Sequence, residues 1–157
     1  MKKTLNMLLL SLLCLGLCPL KSNAQVSAKP MAAPGTTYPW TDIQLLEPAD
    51  LALIIKSNDS KPVILNIGAV EDIAGATHIG AVGKPENMEK LLKVVAAFPK
   101  NTEFVVYCGC CPFTKCPNIR PAFLELEKLG FSNIKVLDLP VNLNTNWIAR
   151  GYPVAGR

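Results

Sequence analysis

The sequence predicts an α/β domain with a mostly parallel sheet that is covered by helices on both faces. Short apolar runs typical of buried strands alternate along the chain with amphipathic segments of helical length. Such alternation is typical of a parallel sheet whose crossover connections are helices. The alternation begins near residue 41 and continues almost to the last residue, so the sequence indicates a single domain.

Each predicted element has a local reason. A proline in its first turn favours the first helix, and the next helix places Met88, Leu91 and Val95 on one face. Gly130 and Gly151 follow the last two helices, where a helix end favours glycine. The predicted strands span 62–67, 103–107 and 133–137, and the predicted helices span 48–55, 85–98, 117–129 and 143–150.

The N-terminal region has the pattern of a secretory signal peptide over residues 1–24. Lysines open it, an apolar stretch follows, and small residues precede Gln25 as a cleavage site requires. Residues 25–40 are rich in Pro, Ser, Thr and Ala and are predicted to form a linker, which leaves residues 41–157 as the domain. The protein is therefore expected to be exported, to the periplasm or the medium, with no membrane association after cleavage.

The predicted leader also explains the basic composition. It carries three lysines and no acidic residue, so most of the formal charge of +4 leaves with it. A nearly neutral domain without a basic and aromatic face excludes nucleic acid as an expected partner. The sequence also lacks a glycine-rich phosphate loop and the spacing of known calcium or zinc motifs. No cofactor is therefore predicted.

The feature that carries chemistry is a cluster of four cysteines within the segment 108–116. Cys108 directly follows the apolar strand 103–107, and Cys110, Cys111 and Cys116 complete the cluster. The loop after a parallel strand is where α/β folds gather catalytic groups, and the following helix start favours a thiolate, above all at Cys116. Gly109 has no side chain, so an anion could approach its backbone. The sequence thus predicts a function that depends on sulfur chemistry.

Four segments resemble the rhodanese-like domains. Val105 to Cys108 is similar to the strand that delivers the family's active-site cysteine, and Ala122 to Phe131 to the helix and Gly-Phe turn that follow. Trp147 to Val154 resembles the C-terminal ending of the family, and His78 to Ala81 a shortened His-Ile-Pro-Gly-Ala segment. The resemblance implies the rhodanese-like fold and transfer of sulfane sulfur, from thiosulfate or another donor, through a cysteine persulfide.

Given the resemblance, Cys108 is the predicted nucleophile. Cys116 is predicted to be a second catalytic thiol, which could attack a persulfide on Cys108 and form a disulfide with it. The choice between these two cysteines as nucleophile stays open. A sulfur-containing anion or a thiol acceptor is the expected small-molecule partner, and a thiol-disulfide partner protein is a further one. Predicted substrate or anion contacts are Gly109, Cys110, Cys111, Lys115 and Arg120.

The chain departs from the family pattern at several positions, and two other interpretations stay open. Phe113 stands where the family has a basic residue, and Asn66 and Gly68 replace an Asp and an Arg. Permanent disulfides could instead hold the loop, as in many exported domains. A soft metal, Cu(I) rather than Zn, could also bind the thiolates, although the Cys-x-Cys-Cys-x4-Cys spacing is not that of structural zinc sites. A constitutive metal site is not predicted.

Overall fold

The computed structural model describes residues 37–57 and 59–156; the predicted leader and most of the predicted linker lie outside them. The strands are β1 (Leu45–Leu46), β2 (Val63–Asn66), β3 (Thr77–His78), β4 (Phe104–Tyr107) and β5 (Ile134–Leu137). The helices are α1 (Pro48–Lys56), α2 (Pro85–Val95), α3 (Ile119–Lys128) and α4 (Leu143–Asn146), with 3-10 turns at Asp42–Gln44, Phe113–Lys115 and Ile148–Arg150. The predicted order of strands and helices is confirmed.

The strands form one parallel sheet in the order β1-β5-β4-β2-β3. Strand β4 therefore lies in the middle, and all four of its residues are buried. Because both faces of such a sheet are covered, its central strands are expected to be continuously apolar, and Phe-Val-Val-Tyr fits this pattern. The carboxyl ends of β4 and its neighbour β2 meet at one edge, with Asn66 opposite Tyr107.

Two apolar cores cover the two faces of the sheet. One contains Leu91 of α2, Phe123 of α3 and the strand residues Phe104 and Val106, and Cys108 belongs to it. The other contains residues of α1 and α4 together with Val105 and Tyr107. The alternation of β4 side chains between the cores follows from the period of two along a strand. The predicted α/β architecture, with helices on both faces, is confirmed.

The C-terminal segment closes the second core, as its sequence predicts. Trp147 is fully buried, and its ring meets that of Tyr152 edge-on at 5.2 Å between centroids. Its indole Nε1 donates to the carbonyl oxygen of Pro153 at 2.9 Å. These residues are packing residues and lie away from the cysteines in sequence.

The segment that leads into the domain packs on the first core. Trp40 is buried, stacks on Tyr38 and contacts the rings of Phe113 and Phe123. The end of the predicted linker thus rests against the same 3-10 turn that follows the cysteines. Within residues 37–57 and 59–156, no helix combines the length and apolar character needed to cross a membrane.

Candidate functional site

The cysteine cluster lies at the carboxyl edge of the sheet, directly after its central strand. Cys108 is the first residue beyond β4 and is completely buried. Cys116 is buried as well, Cys111 is half-buried, and Cys110 is exposed. The placement predicted from the sequence, a loop where a buried strand ends, is what the structure shows.

Three sulfur atoms come together around Cys108. The Sγ atoms of Cys108, Cys110 and Cys116 all lie within 4.8 Å of one another. The shortest contact joins Cys108 and Cys110, whose Sγ atoms are 3.2 Å apart. Cys110 in turn lies 3.5 Å from the Sγ of Cys111. None of the four described cysteines is in a disulfide, so the structure shows a cluster of free thiols.

These contacts place the negative charge on Cys108. The thiol of Cys116 donates to the Cys108 sulfur, and further donors are the Asn118 amide, the Cys110 thiol and the Cys110 N–H. These bonds outweigh burial, which opposes ionisation, and lower the pKa of Cys108 to about 5. Desolvation and the bond to Cys108 raise the pKa of Cys110 to about 12. The bond to Cys108 also raises the pKa of Cys116. The cluster therefore holds one thiolate and donors aimed at it.

This charge assignment corrects the expectation for Cys116. The sequence predicts a helix start beside it and hence a stabilised thiolate, and the backbone N–H groups of Asn118 and Ile119 at the start of α3 do lower the pKa of Cys116. The hydrogen bond that its thiol donates to the Cys108 sulfur, together with burial, outweighs them, so the pKa of Cys116 is raised. Of the two cysteines left open as nucleophile, the electrostatics favour Cys108.

Asn118 is the site residue that sequence reasoning missed. It is almost fully buried, and its Nδ2 donates to the Cys108 Sγ at 3.4 Å. Its Oδ1 accepts from the backbone N–H of Gly83 at 2.9 Å, which fixes the amide with its donor group toward the sulfur. The contact with Gly83 spans 35 residues, so local sequence could not reveal it. Its signal in the sequence is that, counted back from Leu126 and Gly130, Asn118 stands where the rhodanese-like family often has a basic residue.

Gly68 explains one departure from the family pattern. A Cβ at this position would lie 2.1 Å from the Cys108 carbonyl oxygen and 2.8 Å from its Sγ. An arginine, or any side chain, therefore cannot occupy this position without moving the cysteine. The buried Asn66 accepts from the Gly68 N–H at 3.0 Å, which holds this backbone against Cys108. The neutral Asn66 thus holds the Gly68 backbone, which lies directly against Cys108.

Gly109 turns the chain away from the strand. Its φ of +73° is left-handed, and a Cβ there would meet the Cβ of Leu143 at 2.8 Å. Its carbonyl accepts from the Leu143 N–H at 2.8 Å. Close packing against α4 requires glycine here, and approach of an anion to its backbone stays a prediction.

A cleft opens beside this turn and reaches Cys110. It has a volume of about 360 Å³ and is lined by Val70, Glu71, Gly109, Cys110, Asn142, Leu143, Asn144 and Ile148. Cys110 is the one thiol among these lining residues, whereas Cys108 is not part of the wall. The described residues that line the cleft include no lysine, arginine or histidine.

The two predicted cations, Lys115 and Arg120, form no hydrogen bond to the described thiols. Arg120 is exposed, and its Nη1 donates to the carbonyl oxygen of Thr37 at 3.2 Å. Lys115 is exposed on the 3-10 turn. Phe113, which stands at the family's basic position, is buried against Trp40. Neutral donors therefore take the place of cations around the Cys108 sulfur, and anion contacts for Lys115 and Arg120 stay a prediction.

His78 has a structural environment, as expected for a lone histidine at a strand end. Its Nδ1 lies 2.9 Å from Asp72 Oδ1 and 3.2 Å from the Nδ2 of Asn66. Because Asn66 Nδ2 is a donor that also bonds Asp72 at 2.7 Å, the proton on Nδ1 points to the carboxylate. The group supports the end of β2 and contacts no described thiol.

The ionisation of Cys108 gives a direct prediction. Ultraviolet thiolate absorbance should show a transition with a midpoint near pH 5, above which the site carries a thiolate. The transition should be absent in Cys108→Ser, and Asn118→Ala should raise its midpoint by roughly one pH unit through loss of a donor. Because the pKa is depressed on folding, this thiolate stabilises the fold above the ordinary thiol pKa, and that contribution is lost as pH falls through about 5. An acidic transition that persists in Cys108→Ser would contradict the assignment.

The chain has a rhodanese-like fold. It is similar to the solution NMR structure of the rhodanese-like domain of a protein from Anabaena sp., with a TM-score of 0.52 and 19% sequence identity. The match covers 73% of this chain and 80% of that one. No family model and no curated protein matches the chain. The resemblance seen in the sequence is thereby confirmed for the fold, which carries a cysteine-rich loop at the carboxyl end of its central strand.

Proposed function

We propose that this protein transfers sulfane sulfur through a persulfide on Cys108. The observation that carries the proposal is a single buried thiolate, at the end of the central strand, surrounded by donors from Cys110, Cys116 and Asn118. A thiolate is the nucleophile that sulfane sulfur requires, and it is the form available at neutral pH here. The rhodanese-like fold agrees with this chemistry.

The proposed reaction needs no external oxidant. The Cys108 thiolate attacks the sulfane sulfur of a donor; an S–S bond forms to Cys108, and the bond between that sulfur and the rest of the donor breaks. The donor remnant leaves with the electron pair, as sulfite from thiosulfate or as a thiolate from an organic persulfide. A second nucleophile then removes the outer sulfur and regenerates the thiolate. Asn118 and Cys116 stabilise the negative charge whenever it returns to Cys108.

A second thiol could also complete a redox cycle at the same site. Attack by Cys116 or Cys110 on the inner sulfur of a Cys108 persulfide would form a disulfide and release hydrosulfide. Both thiols have their Sγ within 4.8 Å of the Cys108 Sγ. The predicted resolving role of Cys116 therefore remains part of the proposal, with Cys110 added to it by proximity.

The test is mass spectrometry of the reduced wild-type protein after exposure to thiosulfate and, separately, to an organic persulfide. We expect a gain of one sulfur atom, lost on reduction and mapped by peptide analysis to the 108–116 segment with Cys108 as its stable position. Absence of sulfur on any cysteine with both donors would overturn the proposed function.

Binding of Cu(I) is a second candidate function, because three Sγ atoms lie within 4.8 Å of one another. Thiolates are the ligands that Cu(I) prefers, and Cys111 lies outside this group of three, which disfavours a four-thiolate zinc site. If the cluster binds Cu(I), the protein should remove one Cu(I) ion per chain from a chromophoric Cu(I) chelator. Cys116→Ser should abolish that transfer and Cys111→Ser should not. No withdrawal of Cu(I) from the chelator would exclude this function.

A further inference from the structure

The reactive sulfur and the accessible sulfur belong to different residues. Cys108 has 0% exposure, so no donor in solution can reach its sulfur in this conformation. Cys110 is exposed and forms part of the wall of the 360 Å³ cleft. Its Sγ is 3.2 Å from that of Cys108, which is contact distance for two sulfur atoms. A donor that enters the cleft therefore meets Cys110 before it can meet Cys108.

We propose that Cys110 receives sulfur from the donor and passes it to Cys108, and that the donor is an organic persulfide. This inference rests on the proposed sulfur transfer and adds a residue, a direction and a donor class to it. Cys110 is then a catalytic residue that touches the substrate, and Cys108 holds the product of the relay inside the fold.

The first step loads Cys110. The Cys110 Sγ lies 3.2 Å from the Cys108 Sγ, so the Cys108 thiolate can take its proton as Cys110 attacks the outer sulfur of the donor R–S–SH. An S–S bond forms to Cys110, the S–S bond of the donor breaks, and R–S⁻ leaves with the electron pair and takes up a proton. The raised pKa of Cys110 makes this assistance necessary, since its thiol does not ionise by itself at neutral pH.

The second step moves the sulfur inward. Cys108, again as thiolate, attacks the outer sulfur of the Cys110 persulfide; the new S–S bond is on Cys108, and Cys110 leaves as a thiolate that is reprotonated. One S–S bond forms and one breaks in each step, so the oxidation state is conserved. The donors of Asn118 and Cys116 hold Cys108 as the thiolate that attacks, and removal of sulfur from Cys108 by the acceptor draws the transfer inward.

The cleft indicates the class of donor. Its wall combines the apolar side chains of Val70, Leu143 and Ile148 with the amides of Asn142 and Asn144 and the carboxyl group of Glu71. None of the described lining residues is a lysine, arginine or histidine, so the wall offers no cation to a sulfonate. Thiosulfate, a dianion, would lose its hydration there without compensation. A persulfide on a peptide-like or other organic thiol can use both the apolar and the amide surface.

The experiment is rapid-quench mass spectrometry of reduced protein with the persulfide of N-acetylcysteine amide, whose organic part is uncharged. In wild type we expect sulfur on Cys108, loaded faster than from thiosulfate at equal concentration. Cys110→Ser and Cys110→Ala should both slow the loading of Cys108 by roughly tenfold or more, because the neighbouring sulfur that delivers the atom is gone. Thr114→Ser, a conservative change on the 3-10 turn of the same loop and outside the predicted contacts, is the control and should load like wild type.

The outcomes separate the relay from the function on which it rests. No sulfur on any cysteine of wild type would remove both. Sulfur that reaches Cys108 in Cys110→Ser and Cys110→Ala at the wild-type rate would overturn the relay and leave the proposed function intact. Near-ultraviolet circular dichroism identifies a variant that fails to fold; because the two substitutions differ in polarity, either folded variant decides the question. A wild type that loads faster from thiosulfate would overturn the donor class.

Discussion

Replacing Cys108 with serine should reduce sulfur uptake by a factor on the order of a thousand or more, because an un-ionised hydroxyl replaces the only thiolate of the cluster. Serine is close in size to cysteine and can still accept from Asn118, so the fold should persist. The measurement is the rate of sulfur incorporation from an organic persulfide, followed by mass spectrometry. The substitution therefore removes the chemistry and leaves the site's shape nearly unchanged.

Cys111→Ser provides the comparison for this variant. Cys111 belongs to the same loop, but its contact is with Cys110 at 3.5 Å and not with Cys108. Because Cys111 contacts the proposed entry thiol and not the Cys108 sulfur, we expect a loss of uptake far smaller than that of Cys108→Ser. Equal rates for Cys108→Ser and wild type would show that the persulfide forms elsewhere, and equal losses in both variants would indicate a general requirement for the loop's thiols.

Gly68→Ala should have the largest effect on stability. The added Cβ would overlap the backbone carbonyl of Cys108 at 2.1 Å, and backbone on a central strand cannot move aside as a flexible side chain can. The expected loss is about 3 kcal/mol in the free energy of unfolding, and a fall of Tm on the order of 10 °C follows. Thermal unfolding of the reduced protein measures it.

Gly83→Ala is the matched control variant for this experiment. A Cβ there would come within 3.3 Å of only the Oδ1 of Asn118, an atom of a side chain that can adjust. We expect a smaller loss, about 1 kcal/mol, since such contacts are relieved by small shifts. If Gly68→Ala unfolds at the same temperature as Gly83→Ala, the close approach of residue 68 to Cys108 is not a constraint on this fold.

Most of the fold could be predicted because its signals are local. The apolar run before Cys108 is the central strand, and Gly130, with φ +85°, ends α3 as its position predicts. The strands β1 and β3 were missed, since two residues carry no periodic pattern. The predicted helix over 117–129 begins two residues later, at Ile119, and the side chain of Asn118, which precedes it, donates to the Cys108 Sγ. The N–H groups of Asn118 and Ile119 still bond Cys116, but the bond from its thiol to Cys108 outweighs them.

The site could be predicted only in part, because its decisive contacts join distant segments. The sequence places Cys108 at a strand end and its neighbours in one loop, and this is what the structure shows. The contact of Gly68 with Cys108 and that of Asn118 with Gly83 depend on the order of the strands and on the path of the loop. The division between a buried thiolate and an exposed thiol likewise depends on tertiary packing, so residue types alone could not distinguish Cys108 from Cys110.

Because Cys108 is held in place, another part of the domain would have to move to admit a transferred sulfur atom. The residue is fixed from behind by Gly68 and extends from the innermost strand, so it cannot retreat to admit another atom. The segment from Cys110 to Cys116, two of whose Sγ atoms lie within 4.8 Å of the Cys108 Sγ, would therefore have to shift to admit a sulfur atom added as proposed. Phe113 lies in that segment and contacts Trp40, so the shift would be transmitted to the aromatic cluster where the chain enters the domain. Loaded and empty forms would then differ in surface shape, and a partner could distinguish them without touching the sulfur.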